Sequence, residues 1–164
     1  MFLNLSPFTK LHVVISLIGI VSGLVMMFGL LAGQKLNRWT ALFLVSTVAT
    51  SVTGFFFPFH GVTPAIVVGI ISLVLLAVAI VARYSRHLAG AWRWIYVVTA
   101  MISFYLNVFV LVVQLFQKVP ALKVLAPTQS EPPFAVTQLA VLALFVLLTV
   151  MAAIRFRGEQ LQMA

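Results

Sequence analysis

The stretch LHVVISLIGIVSGLVMMFGLLA, residues 11–32, sets the class of this protein. Its apolar region is about 20 residues long, which is the length that an α-helix needs to cross the hydrocarbon core of a bilayer. A cleaved secretory signal has a shorter apolar region, of about 7–15 residues, and ends in a small-residue cleavage site that is not found here. We therefore expect a transmembrane helix at residues 11–32 rather than a signal peptide.

The composition of the whole chain supports the same class. Of its 164 residues, 63% are hydrophobic and 7% are charged, and the mean hydropathy is +1.21. Soluble domains carry about 25% charged residues, so this chain has too few charges to build a water-exposed surface. We expect one integral membrane domain over residues 1–164. The absence of cysteine excludes disulfides, thiolate metal sites and thiol redox chemistry.

Apolar segments of similar length recur along the chain, and each predicts one membrane-spanning helix. The longest connection, residues 117–133, contains prolines that disfavour a continuing helix. It is too apolar for a solvated tail, so we expect it to lie back on the outer face of the protein. The predicted fold is all-α, a bundle of five transmembrane helices at residues 11–32, 39–57, 62–82, 91–116 and 134–154.

The distribution of positive charge predicts the orientation. The formal net charge is +8, and the cations lie in short runs between apolar segments, so we expect contacts with the lipid bilayer and no binding to nucleic acid. Cytoplasmic loops carry an excess of lysine and arginine. One side has Lys35, Arg38, Arg83, Arg86, Arg93, Arg155 and Arg157, and the other has Lys10, Lys118 and Lys123. We predict an N-terminus outside, a cytoplasmic C-terminus and a location in the bacterial inner membrane.

Polar residues gather in the outer half of the predicted bundle. The fourth span carries a polar stripe on one helical face. Polar groups that face lipid are costly, so this stripe should face the interior. We expect an outward-facing polar cavity that binds a small or lipid-like ligand. The candidate binding residues are His12, Ser16, His60, Ser103, Asn107, Gln114, Glu131 and Gln138.

Glu131 is the acidic residue of the connection at 117–133, and prolines flank it on both sides. These prolines restrict the backbone and lower the entropy lost when the connection is ordered. We predict that Glu131 points towards the mouth of the bundle, with Lys118 as its first partner and His12 or His60 as its second. The alternative is a solvent-facing side chain at the tip of the connection.

Other functions are compatible with the same residues. His12 and His60 are both predicted to be external, and histidine ligates haem iron and metal ions, so a single haem or a metal site is one alternative. A membrane enzyme is a further alternative, since His12, His60 and Glu131 offer the residue types of a zinc or iron site. Their spacing matches no motif, and we predict no catalytic residue. The small polar faces also suit helix–helix packing. That reading makes the protein a non-catalytic accessory or scaffold subunit, in a homo-oligomer or a membrane complex.

The chain has Leu11-His12 where the first span begins, a basic turn at Lys35–Arg38 and the sequence TGFFFP at Thr53–Pro58. In these features it resembles uncharacterised small polytopic bacterial membrane proteins, over roughly the first four predicted helices. The resemblance implies a membrane-spanning helical fold and supplies no activity. Asn37 stands where the resemblance would place a histidine beside the arginine of the turn.

Overall fold

The computed structural model describes residues 6–58 and 64–156, and every regular element within these ranges is helical. The prediction of an all-α fold is confirmed. The elements are α1 (Pro7–Leu31), α2 (Asn37–Gly54), α3 (Pro64–Ile80), a π-helical segment (Val81–Ser85), α4 (Trp92–Lys118), α5 (Pro120–Leu125) and α6 (Pro132–Arg155).

α1 begins one turn earlier than the apolar run indicates. Ser6 precedes the helix, and its hydroxyl accepts a hydrogen bond from the Thr9 backbone amide at 3.2 Å. Pro7 occupies the first helical position, where its fixed φ suits the helix and its missing N–H leaves no partner unpaired. Since these start signals are polar or cyclic residues outside the apolar run, hydropathy alone places the helix start too late.

Proline also explains how the connection at residues 117–133 differs from the expected irregular loop. α4 continues into it as far as Lys118, and the short helix α5 follows. Pro120 opens α5 and Pro132 opens α6. At the first position of a helix proline starts the element instead of breaking it, so prolines that disfavour one continuous helix allow two new ones.

The connection packs against the end of α4 with part of its apolar residues. Leu122 and Ala126 lie against a small cluster formed by Val112 and Phe116 of α4. Val124, on the other side of α5, is 78% exposed. The structure therefore agrees in part with the expectation that this segment lies back on the protein.

Consecutive long helices run antiparallel, because the end of each one contacts the start of the next. As a result, the start of α1, the end of α2, the start of α3 and the end of α4 lie at one end of the molecule. The contacts that define this arrangement are His12–Thr53, Phe55–Gly69, Arg83–Tyr96 and Phe116–Phe134.

Aromatic rings fill the centre of the molecule. Phe104 of α4 is fully buried between Phe43 of α2 and Phe145 of α6, with ring centroids 5.9 and 5.2 Å away. Gly23 of α1 makes room for this ring, because a Cβ atom there would lie 2.6 Å from Cδ2 of Phe104. The glycine is thus required by the close approach of α1 and α4.

Four helical stretches within the described residues are long and apolar enough to cross a membrane: Pro7–Leu31, Pro64–Ser85, Trp92–Lys118 and Pro132–Arg155. Large apolar side chains point outwards from them, such as Phe28 (62% exposed), Val74 (59%) and Leu147 (57%). Such a surface suits lipid rather than water. α2 has 18 residues and lies outside this set, since it contains Arg38 and a run of serines and threonines.

Candidate functional site

A cavity of about 110 Å³ with a mainly apolar wall lies among α1, α2, α3 and α4, at the end of the molecule where α1 begins. Ile66 and Leu106 are among its apolar lining residues, and none of the described residues that line it is a lysine, arginine, aspartate or glutamate. The polar residues that line it are His12, Ser16, Thr50, Ser51, Ser72 and Asn107. Three of the predicted binding residues, His12, Ser16 and Asn107, are therefore brought together.

His12 is fixed in position by the end of α2. Its Nδ1 atom lies 2.8 Å from the Thr53 hydroxyl oxygen, and its ring meets that of Phe57 edge-on at 5.0 Å. The Thr53 hydroxyl donates its single proton to the Ala49 carbonyl at 2.7 Å. In the neutral imidazole Nδ1 is then the donor to Thr53. The Nε2 atom is left as an acceptor with no partner among the described residues.

Asn107 connects α4 to α2 at the inner end of the cavity, and α1 passes close beside it. Its Nδ2 atom donates to the Thr47 hydroxyl of α2 at 3.2 Å. Gly19 of α1 leaves space for the amide, because a Cβ atom at that position would lie 3.2 Å from Nδ2. The amide oxygen forms no hydrogen bond within the described part of the chain, so it is available to a molecule in the cavity.

Serine hydroxyls behave differently inside and outside the cavity. Ser22, Ser46 and Ser103 each donate to a carbonyl one turn back in their own helix, at 2.6, 2.6 and 2.8 Å. By contrast, the described residues offer no hydrogen bond to the hydroxyls of three lining serines. These three are Ser16, Ser51 and Ser72, and Ser72 is only 5% exposed. None of these three hydroxyls is among the fully enclosed side-chain atoms that lack a partner, so water or another polar molecule in the cavity can complete their hydrogen bonds.

Ser103, Gln114 and Gln138 lie away from the cavity. Ser103 is fully buried and bonded to the Thr99 carbonyl. Gln138 donates from Nε2 to the Phe109 carbonyl at 3.2 Å, while its buried Oε1 has no partner. Gln114 is exposed. Gln114 keeps the helical face of Ser103 and Asn107, but at the end of α4 the packed face is that of Val112 and Phe116, on the opposite side of the helix.

Glu131 is held by its own loop. Its carboxylate accepts hydrogen bonds from the Thr128 amide (3.1 Å), the Thr128 hydroxyl (2.9 Å) and the Ser130 amide (3.1 Å). Burial raises the pKa of Glu131, but these hydrogen bonds lower it by more, so the pKa lies below its ordinary value. The side chain turns to these donors rather than to Lys118 or His12. The cavity lining comes from α1–α4 and Phe55, without the connection that carries Glu131.

The second proposed metal ligand, His60, lies outside the described residues. Within residues 6–58 and 64–156, no three histidine, cysteine or acidic side chains come together as a metal cluster.

Sequence reasoning did not single out Ser72. It is the only hydroxyl-bearing residue of α3, in an otherwise apolar helix. An isolated serine among leucine, isoleucine and valine was the available signal, since a hydroxyl inside a membrane helix needs a partner. Thr50 and Ser51 belong to the run of small polar residues in α2, but the neighbours of that run depend on how the helices pack.

Comparison of the chain with protein-family models, with curated proteins and with solved structures finds no match. The resemblance to small polytopic bacterial membrane proteins therefore stays a prediction.

Proposed function

We propose that this protein is a membrane-embedded binding protein whose cavity among α1–α4 holds a small, uncharged polar molecule. The observation that carries this proposal is the set of three serine hydroxyls, Ser16, Ser51 and Ser72, that face one cavity without a hydrogen bond from the described residues. The Nε2 atom of His12 and the Oδ1 atom of Asn107 add two acceptors to the same space.

The size and charge of the cavity define the class of ligand. A volume of about 110 Å³ is well above the roughly 10–15 Å³ that one water molecule needs on this measure. The space therefore accommodates a small polyol or amide, or the hydroxyl-bearing end of a larger molecule. An ion would lack a partner of opposite charge in the wall, and burying an unpaired charge is strongly unfavourable.

The proposed setting is a bacterial inner membrane that all five long helices cross, with the N-terminus outside. Residues 32–36 separate α1 from α2, and five extended residues reach at most about 18 Å, which is less than the ~30 Å hydrocarbon core. α2 thus starts on the side where α1 ends, and it ends beside the start of α3. If α1 and α3 cross in the same direction, α2 must cross back between them.

The cysteine-free chain makes a direct test of the cavity possible. A Ser72→Cys variant should react with methyl methanethiosulfonate, which is small and uncharged, and should resist a bulky biotin-maleimide. Ser103→Cys is the matched control, because Ser103 is buried outside the cavity. The added mass is read by intact-protein mass spectrometry.

Ligand binding is tested by protection of the same thiol. Glycerol, urea, acetamide and a small-molecule extract of the host cells are added before the reagent, and at least one should slow the reaction of Ser72→Cys. If the folded variant does not react at all, the cavity is closed to solutes. If it reacts and none of these additions slows it, the cavity holds water alone and the binding function is refuted.

A second candidate, the accessory or scaffold subunit, is favoured by one observation. Only 6% of the most apolar stretch of α6 is buried, against 39% for α1 and for α4. A helix exposed to this extent can pack against a helix of another subunit or a second copy of this chain as well as against lipid. Single-molecule photobleaching of the labelled protein in bilayers distinguishes a monomer from an oligomer.

A further inference from the structure

The side chain of Arg83 is enclosed at the opposite end of the molecule from the cavity. It is 6% exposed and lies in the π-helical segment Val81–Ser85, which continues α3. Its Nη2 atom donates to the Lys35 carbonyl at 3.1 Å and to the Asn37 amide oxygen at 2.6 Å. Its Nη1 atom is buried and forms no hydrogen bond of good geometry with any described residue.

No carboxylate balances this charge within the described residues. The acidic side chain that they contain, Glu131, is bound by Thr128 and Ser130 near the far end of α4. Arginine cannot shed its proton inside a protein, and its contacts with Lys35 and Asn37 are with neutral oxygens. Among the described residues, neutral oxygens and the rings of Tyr84 and Tyr96 surround this charge, so an anion bound here would be stabilised.

A second buried polar group lies beside Arg83. The guanidinium carbon is 5.1 Å from the ring centre of Tyr96 in α4. The Tyr96 hydroxyl is fully buried, and the polar groups next to it are the Arg83 guanidinium and the Thr40 side chain, neither of which forms a hydrogen bond of good geometry with it. The Arg83 guanidinium and the Tyr96 phenol are thus buried together, from two different helices.

The neighbouring arginines contact other groups. Arg86 stacks over Trp92 at 5.1 Å. Arg93 stacks over Trp94 at 4.8 Å and donates to the Phe156 carbonyl at 2.6 Å. Tryptophan and arginine together are typical of the level at which lipid headgroups lie, so an anionic headgroup is available next to Arg83.

The turn that follows the π segment has an unusual backbone. It is left-handed at His87 (φ 50°), Leu88 (φ 60°) and Gly90 (φ 53°). Two of these residues are not glycine, and side-chain-bearing residues rarely adopt this conformation.

We propose that Arg83 and Tyr96 form a binding site for a phosphate group, supplied by an anionic phospholipid of the adjacent leaflet. The guanidinium fork matches two phosphate oxygens, and the Tyr96 hydroxyl donates to a phosphate oxygen. The site is separate from the cavity among α1–α4 and does not depend on it.

The test uses the full-length protein in a mild detergent and measures its melting temperature. Phosphatidylglycerol, phosphatidylcholine and inorganic phosphate are added at matched phosphate concentrations. Phosphatidylglycerol at saturation should raise the melting temperature of the wild type by about 5 °C more than phosphatidylcholine does. Inorganic phosphate should have little effect. If inorganic phosphate reproduces the gain, the site takes free phosphate and the lipid source is refuted.

The variants distinguish a specific binding site from nonspecific electrostatic attraction of anionic lipid to the protein surface. Arg83→Lys keeps the positive charge but loses the paired N–H donors of the guanidinium group. Tyr96→Phe keeps the ring but loses the hydroxyl. Both should reduce the gain by at least half. Arg38→Gln is the matched control, since Arg38 is a nearby exposed cation, and it should keep the gain. Equal gains in all of these proteins, or an equal loss in Arg38→Gln, refute the site. If Arg83→Lys does not fold, Tyr96→Phe alone decides.

Discussion

The Nδ1 atom of His12 lies 2.8 Å from the Thr53 hydroxyl oxygen, and this contact ties the start of α1 to the end of α2. It holds the imidazole at the cavity, where Nε2 has no partner among the described residues. The bond joins two side chains 41 positions apart in sequence, so it depends on the antiparallel packing of the two helices.

Replacing Thr53 by valine should therefore weaken the packing at this end of the molecule. The shape of the side chain is kept and the bond to His12 is lost, so we expect a loss of about 1 kcal/mol in the free energy of unfolding. Thr149→Val is the matched control, because Thr149 bonds to the Phe145 carbonyl of its own helix and to no other helix. Urea unfolding in detergent measures both, and equal losses would show that the His12 bond contributes nothing.

Replacing Gly23 by alanine should destabilise the protein by about 1–3 kcal/mol, because overpacking forces neighbours to shift. The added Cβ atom would lie 2.6 Å from the Phe104 ring. Gly54→Ala serves as the control, since its added atom would have His12 Cε1 at 3.8 Å as its neighbour. Thermal unfolding compares the two variants. A Gly23→Ala protein as stable as Gly54→Ala would contradict the close contact of α1 and α4.

Glu131→Gln should lower stability at neutral pH and have no effect in acid. Because the folded-state pKa of Glu131 is lowered, the ionised carboxylate stabilises the fold above its unfolded pKa. That contribution is lost as the pH falls through the folded value. The difference between wild type and variant should thus be constant from about pH 5.5 to 8, shrink as the pH falls below the ordinary glutamate value near 4.3, and vanish below the lowered folded pKa. Melting curves across pH measure it.

A difference that changed between pH 6 and 8 instead would indicate a histidine partner, which was the second partner predicted from the sequence, after Lys118. Thr128→Val offers an independent check, because it removes the hydroxyl that donates to Glu131 at 2.9 Å. It should reproduce part of the Glu131→Gln effect above pH 5.5.

The proposed orientation can be measured with single cysteine substitutions, because the chain has no cysteine of its own. In intact cells, Ser130→Cys should react with a membrane-impermeant maleimide, and Ser85→Cys should react after the cells are opened. Both positions are exposed in the structure, so accessibility within the fold does not distort the result. The reverse pattern would place the cavity at the cytoplasmic side.

The sequence predicted the helices of this protein better than it predicted which helices pack together. Apolar runs identified the long helices, since burial of about 20 residues in lipid leaves little choice of structure. Reasoning from the sequence also identified three residues that line the same cavity, His12, Ser16 and Asn107. Gln114 and Gln138 were placed in the same group, but their surroundings depend on which helices cover the end of α4.

Arg83 shows a different limit of sequence reasoning. In the sequence it is one of several arginines near the end of an apolar segment, and charge counting treats them alike. The π-helical segment turns its side chain inwards, onto Asn37 and Tyr96. A local change in helical winding has no clear pattern in a single sequence, so the burial of this one cation became visible only in the structure.

The length of α4 has a consequence for the membrane around the protein. Its 27 residues, at about 1.5 Å per residue, extend about 40 Å, roughly 10 Å more than the hydrocarbon core. An over-long helix adapts by tilting, and its tilt changes with bilayer thickness. Lys118 at its end is exposed, and α5 beside it presents Val124 and Leu125 outwards. This end of the molecule can therefore follow the membrane surface in thin and thick bilayers without exposing the apolar part of α4 to water.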